Sequence, residues 1–304
     1  MRVAVVGATG VMGAAVVPVL VQAGHHVVGL ARTPQKARLL VGLGAEASSA
    51  DLLDHDSLVE MFDQADAVCN FATHIPVGMA AVLPRAWRAN DRLRTSGVRR
   101  VVAAARQAGV RRVVQQSVSS LYADQGDAPI TEDSPLAITC ATEPASVGES
   151  HVQRYSCGSR TGVVLRLGSI TGDDPITRLQ LRAARQGHAI GLGSPDGWAH
   201  VVHPDDLGPA VLAALTVPSG TYNVGAEPVR RAELMAGFAD ASGRDGVGFA
   251  GPLARRLGGV RLEPLARSLR VSSQRFASQS GWTPTRARFD SSWFSALLPS
   301  EALR

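Results

Sequence analysis

Residues 2–17 read "RVAVVGATGVMGAAVV". The run begins as an unbroken apolar stretch, which suits a parallel strand covered on both faces. It ends at Gly7, and Gly10 and Gly13 follow in a GxxGxxG spacing before a helical pattern over residues 11–23. Strand, glycines and helix in that order describe a phosphate cradle. Gly7 permits the tight turn, Gly10 admits a pyrophosphate close to the backbone, and Gly13 lets the helix pack tightly. Thr9, Val11 and Met12 complete the loop that would hold a dinucleotide.

Working outward, "HHVVGLAR" gives a second strand, and "TPQKARLLVGLG" opens with a capping threonine and a proline suited to the first helical position. Short strands recur at 45–47, at "DAVCNFA", at "RRVVQQSV" and at "GVVLRLGS", with helical stretches between them, the longest over about 80–108. This alternation predicts an α/β fold, a Rossmann-like doubly wound parallel sheet. The regularity fades after Gly172. The expected division is a dinucleotide-binding domain over 1–172, with 199–217 returning to it, and a smaller substrate lobe from 173–198 and 218–304.

The end of the second strand bears on the cofactor. An acidic residue there would hold a ribose 2′-hydroxyl, but the chain has Ala31 and Arg32, with Lys36 one turn on. Arginine pairs well with a 2′-phosphate, so NADP(H) is favoured over NAD(H). Asp51 and Leu52 stand where an adenine would rest, and Phe71, Ala72 and Thr73 follow the fourth strand along the cofactor path.

Composition bounds the rest. The chain has 304 residues, is 45% hydrophobic and has no apolar run of about eighteen residues, so a soluble globular protein is expected with no membrane partner. Its three cysteines, Cys69, Cys140 and Cys157, are odd in number and widely spaced, which fits a reducing cytoplasm better than a disulfide framework. Lys36 is the only lysine in a chain of net charge +5. The arginine pairs 99–100 and 111–112 lack interleaved aromatics, so a solvated surface is favoured over nucleic acid.

Together these residues resemble the short-chain dehydrogenase/reductase superfamily, in its extended or atypical branch of NAD(P)-dependent epimerase/dehydratase-like proteins. "GATGVMG" resembles the nucleotide loop and "GVRRVVQQSVSSLYAD" the fifth strand with its active-site loop. "VVLRLGSITGDDP", "WAHVVHPDDLGPAV", "GTYNVGAEPV" and "SGWTPT" are similar to later landmarks, in the same order. The resemblance implies hydride transfer to or from nicotinamide, a tyrosine acid/base with a lysine four residues on, and a serine or threonine on the reacting oxygen.

The chain departs from this pattern. In "PASVGESHVQRY", residues 144–155, Gly148 and Ser150 set a register with Val147 at the tyrosine position and His151 at the lysine position. None of the three tyrosines, Tyr122, Tyr155 and Tyr222, is followed four residues later by lysine. Val118 falls at the expected serine position, flanked by Ser117 and Ser119. Loss of a positioned acid/base typically removes roughly 10²–10⁴ in rate, so the unmodified mechanism does not apply. The candidate replacements are His151 as acid/base, Ser117 and Ser119 as oxygen binders, and Tyr122; His74 is a further histidine near the expected nicotinamide pocket. Glu149 is expected to point away. His200, His203 and Asp205 read as a strand-to-helix junction, with Asp205 or Asp206 as the cap, and not as metal ligands.

The favoured reading is an NADP(H)-dependent oxidoreductase reducing a carbonyl or activated double bond of a small, apolar metabolite with a non-standard acid/base. The alternatives are a non-redox isomerase, cyclase or dehydratase, and a non-catalytic NADP(H)-sensing regulator. The resemblance also implies a homodimer paired through the helices at 80–108 and 147–159.

Overall fold

A computed structural model describes residues 1–251 and 261–297. Its centre is a parallel sheet of seven strands in the order β3-β2-β1-β4-β5-β6-β10. These are β1 (Arg2–Val6), β2 (His26–Leu30), β3 (Glu46–Ser48), β4 (Ala67–Asn70), β5 (Arg112–Val118), β6 (Thr161–Leu167) and β10 (Gly220–Val224). Register runs directly across the middle: Val5 pairs with Cys69, Cys69 with Val114, and Val114 with Val163. Those four residues are completely buried, as expected for central parallel strands with helices on both faces.

One face is covered by α1 (Val11–Gln22) and α8 (Pro204–Ala214), whose Val16, Val17, Leu207 and Ala210 join the core. The other carries α3 (His55–Met61), α5 (Val98–Gln107) and α6 (Glu143–Gln153), with Leu58, Val101 and Val152 facing inward. Local chemistry starts the helices. Thr33 accepts from the Lys36 amide at α2 (Pro34–Gly42), and Asp174 accepts from the Ile176 and Thr177 amides at α7 (Pro175–Arg185). α8 differs from expectation: its cap is His203, whose Nδ1 accepts from the Asp205 amide. The Asp206 carboxylate is engaged instead by the Thr285 amide and hydroxyl and the Arg286 amide, tying a late segment to this helix.

The stretch predicted as one long helix over 80–108 is segmented. Two 3₁₀ turns, Gly78–Val82 and Pro84–Trp87, precede α4 (Arg88–Arg92), a π-helical turn (Leu93–Gly97) and α5. Pro84 cannot continue a preceding helix. At the π turn the Thr95 hydroxyl donates to the Asp91 carbonyl and the Ser96 hydroxyl to the Arg92 carbonyl, competing with the backbone ladder.

Beside the sheet, α7, α9 (Arg231–Ser242) and the 3₁₀ turn Ser291–Leu297 enclose Leu181, Phe238 and Phe294. The lobe boundary expected at residue 218 moves, because β10 adds to the main sheet by pairing with β6 from Gly220↔Val163 to Val224↔Leu167. The apolar alternation of "TYNV" is too short to reveal that its partner lies on β6. Residues 252–260 and 298–304 of the expected lobe lie outside the described residues. Two short pairs, β7–β9 (Ser169–Ile170 with Val201–Val202) and β8–β11 (Trp198–Ala199 with Val229–Arg230), form separate two-stranded sheets outside the main one.

Candidate functional site

The glycine turn lies at the carboxyl end of β1. Gly7 has φ +81°, and a Cβ there would lie 2.7 Å from the Ala72 nitrogen, so the turn admits the chain leaving β4. At Gly13 a Cβ would come within 2.4 Å of the Ala8 and Gly7 carbonyls, so the first turn of α1 presses on the loop. Gly10 contrasts with both. Its nearest neighbour to a Cβ would be the Gly7 carbonyl at 3.4 Å, leaving open space beyond the helix start. No side chain caps α1, and its first turn holds no acid. Free amides facing open space at a helix N-terminus are the donors a pyrophosphate requires, so the loop fits a dinucleotide. Met12 is buried beneath it, while Val11 is exposed at its lip.

Arg32 and Lys36 are both exposed, just beyond β2, and neither forms an ion pair among the described residues. Asp51 is exposed, and its carboxylate accepts from the Leu53 amide in a local turn. Leu52 is buried, its side chain against Gly97. Beyond β4, Phe71 is buried and Ala72 and Thr73 are half-buried. The Asn70 side-chain oxygen Oδ1 accepts from the Ala72 amide, and its Nδ2 donates to Gln115 Oε1 on β5. This fixes the path of the loop past the glycine turn.

The candidates around β5 are brought together selectively. Ser117 donates to Glu149 Oε1 at 2.5 Å. Arg166, on β6, donates to both carboxylate oxygens of Glu149, at 2.9 and 2.6 Å. The Arg166 guanidinium stacks 4.9 Å over the Tyr122 ring, and the Tyr122 hydroxyl donates to Asn223 Oδ1 at 2.8 Å. Burial opposes charge on Arg166, but the hydrogen bonds and charge of Glu149 prevail, holding it above the ordinary arginine range. Glu149 therefore points inward, contrary to expectation. A one-residue helical offset is worth 100°, and the bare sequence did not say which ridge of α6 meets the sheet.

That ridge is Ala145, Gly148, Glu149 and Val152, all buried, whereas Val147 and His151 are half-buried. A Cβ on Gly148 would approach the Arg94 carbonyl to 2.7 Å, which seats α6 against the π turn. Glu149, two residues from both Val147 and His151, turns about 200° away from them towards the sheet, which leaves Val147 and His151 on the less buried side of α6. None of these residues is a tyrosine or a lysine. His151 Nδ1 lies 3.3 Å from Arg154 Nη2, and burial, then Arg154 and Arg99, lower its pKa. Among the described residues it has no hydrogen bond to Ser117, Ser119 or Tyr122.

All three tyrosine hydroxyls are committed inside the fold. Tyr122 is completely buried on Asn223, Tyr155 donates to the Val110 carbonyl, and Tyr222 donates to Gln279 and the Pro218 carbonyl. Burial raises the pKa of each. Ser119 differs from Ser117. It is buried at the start of a 3₁₀ turn, and its hydroxyl has no partner among the described residues. His74 is exposed, with its amide donating to Asn90 Oδ1. The His200 ring is buried without a partner among the described residues, whereas His203 Nδ1 lies 3.2 Å from Asp205 Oδ2. No helix among the described residues is long and apolar enough to cross a membrane.

Comparison with known proteins agrees with this geometry. The family described as "NAD dependent epimerase/dehydratase family" matches residues 3–225. A Streptomyces sp. protein named 3-diazoavenalumate denitrifying reductase is 31% identical over 309 residues, covering 94% of this chain and 96% of its own. The UDP-glucose 4-epimerase of Streptomyces lividans is 33% identical over 138 residues, covering 44% of this chain and 41% of its own. Among solved structures, MoeE5 in complex with UDP-glucuronic acid and NAD superposes with a TM-score of 0.76 at 24% identity, over 98% of this chain and 100% of that one. The Thermotoga maritima UDP-glucose 4-epimerase with UDP-glucose also gives a TM-score of 0.76, at 17% identity over 94% of both chains. With the glycine turn, the strand order and a family match across most of its length, this chain belongs to the NAD dependent epimerase/dehydratase family of the short-chain dehydrogenase/reductase superfamily.

Proposed function

We propose that this protein is an NADP(H)-dependent reductase that acts on an electron-poor carbon of a small, apolar metabolite without a phenolic proton relay. The observation that carries this reading is the commitment of every tyrosine hydroxyl to an internal partner. When bound, the reduced dinucleotide supplies hydride, and addition to an activated double bond, or to a carbon whose bonding electrons leave with dinitrogen, needs no proton at a reacting oxygen. The name of the 31%-identical relative, a denitrifying reductase of a diazo compound, describes chemistry of this kind.

The chain's own residues serve binding and orientation. The amides at the start of α1 receive the pyrophosphate, and Arg32 with Lys36 receives the 2′-phosphate. Ser119, with its unpartnered hydroxyl, holds a polar group of the substrate near the end of β5. The Ser117–Glu149–Arg166 chain fixes the strand ends beneath it. Exposed Ile75 and Val77, in the loop after β4, give the entrance an apolar lip.

The test is reductive turnover with the purified protein, using 4-(dialkylamino)benzenediazonium and an α,β-unsaturated ketone as probes. Expected is NADPH oxidation matched one-to-one by reduced product, with deuterium from C4-deuterated NADPH found on product carbon. Isomerised product with no net NADPH loss would establish the non-redox alternative. Tight NADPH binding without turnover of either probe would favour a sensor.

A further inference from the structure

Arg94 sits on the π-helical turn between α4 and α5 and is 7% exposed. Its guanidinium has no hydrogen bond or ion pair among the described residues, although its nitrogens are not among the atoms sealed from solvent without a partner. Two carboxylates are its nearest countercharges, and both are taken. Asp91 is paired with Arg261 at 2.8 Å, and Glu149 is paired with Arg166 at 2.6 Å. Among the described residues three arginines thus share two acids, and the one left without a pair is Arg94. Burial lowers its pKa to about 10, against the opposing pull of Asp91 and Glu149. A buried cation without its own partner is costly to a fold and calls for a ligand.

Position says which ligand. Arg94 lies against Gly148 and near Glu149, whose partners are on β5 and β6. The glycine turn is on β1, with β4 intervening before β5. Arg94 therefore lies towards the β5 and β6 end of the sheet, while Gly97, three residues on, packs on Leu52. The loop after β4 reaches α4 through His74 and Asn90, one turn before Arg94, and carries exposed Ile75 and Val77. An apolar entrance leading to an unpaired guanidinium fits an apolar molecule ending in an anion.

We propose that Arg94 is the docking group for a carboxylate on an apolar, acidic substrate of this protein. The proposal takes the site from the reductase reading and names the substrate class; the binding it predicts does not require turnover. A guanidinium receives a planar carboxylate in a bidentate fashion, which fixes orientation as well as adding affinity.

The experiment is equilibrium binding of trans-cinnamate and of uncharged trans-cinnamamide to the full chain, in wild type, Arg94→Met and Arg94→Gln. NADPH is titrated separately, and a thermal melt is recorded for each variant. Wild type is expected to prefer cinnamate by about tenfold or more, and both variants to lose that preference. NADPH affinity is expected to stay within about threefold, and the unliganded variants to melt no lower than wild type, since a site that costs stability is relieved by its removal. Equal binding of the two probes to wild type, or binding of neither, overturns the proposal without any variant. A parallel loss of NADPH affinity assigns Arg94 to a cofactor phosphate, and a much lower melting temperature in both variants makes it structural; either result also overturns it. Failure of the reductase reading looks different: cinnamate preference persists while NADPH is neither bound nor oxidised.

Discussion

Ser117 on β5 and Glu149 on α6 meet at 2.5 Å, with the hydroxyl donating to a carboxylate that Arg166 holds from the next strand. The contact joins helix and sheet at the point where the family resemblance implies a proton relay, and it is built as a closed, buried ion pair. Glu149 and Arg166 are 3% and 4% exposed. Removing one partner leaves the other as an uncompensated buried charge. Glu149→Leu alone is expected to destabilise the fold by about 3–5 kcal/mol, and Glu149→Leu with Arg166→Met to recover much of that. Chemical denaturation of the singles and the double decides this; additive losses would mean the two residues are not coupled.

The glycine turn separates stability from binding. Gly13→Ala forces a methyl to 2.4 Å from backbone carbonyls and should cost about 1–3 kcal/mol in overpacking. Gly10→Ala meets only one atom, at 3.4 Å, so its stability should change by less than about 0.5 kcal/mol. Dinucleotide affinity should still fall about tenfold or more, because the methyl enters the space beside the α1 amides. Melting temperatures and NADPH titrations of the two variants, side by side, give the comparison.

The cofactor preference rests on Arg32. A charge-assisted hydrogen bond is worth roughly 1.5–3 kcal/mol, so Arg32→Ala should weaken NADPH by about tenfold or more while leaving NADH nearly unchanged. If the variant weakens both cofactors alike, the 2′-phosphate assignment is wrong.

His200 makes stability depend on pH. Its ring is 3% exposed, neither nitrogen has a partner, and burial lowers its pKa from 6.5 to about 3. The unfolded chain binds a proton near pH 6.5 that the folded chain refuses until far lower. Stability is therefore unaffected above about pH 6.5 and falls between there and about pH 3, by as much as about 1.4 kcal/mol per pH unit. His200→Leu should flatten this acid limb. An unchanged limb in the variant would assign the acid sensitivity to other groups.

His151 and Tyr122 have separable expectations. Tyr122→Phe leaves Asn223 Oδ1 without its donor and should cost about 1–3 kcal/mol of stability. In the proposed reaction neither Tyr122→Phe nor His151→Ala should slow the hydride step by more than a few-fold. A loss of roughly 10²–10⁴ in turnover for His151→Ala would instead mark it as the acid/base. Single-turnover oxidation of NADPH is the appropriate measurement.

The sequence by itself determined the parallel sheet and its glycine turn. Both are written in local signals: apolar runs of strand length, and three glycines of which Gly7 takes a positive φ while Gly10 and Gly13 leave room where a side chain would intrude. The absence of a Tyr-x-x-x-Lys pair was equally legible, because it is a matter of inventory. Only the tertiary structure decided that Glu149 on α6 meets Ser117 and Arg166, because the helical period alone does not say which ridge packs on the sheet. It also decided that the helix expected over 80–108 begins only at Arg88, after two 3₁₀ turns, and carries a π turn, and that residues 220–224 join the main sheet. Arg94 shows the same limit most clearly. In the sequence it is one arginine among many on an exposed-looking helix. That it is buried with both neighbouring carboxylates already paired depends on α5, α6, β6 and residue 261 meeting in space, and no local pattern encodes that meeting.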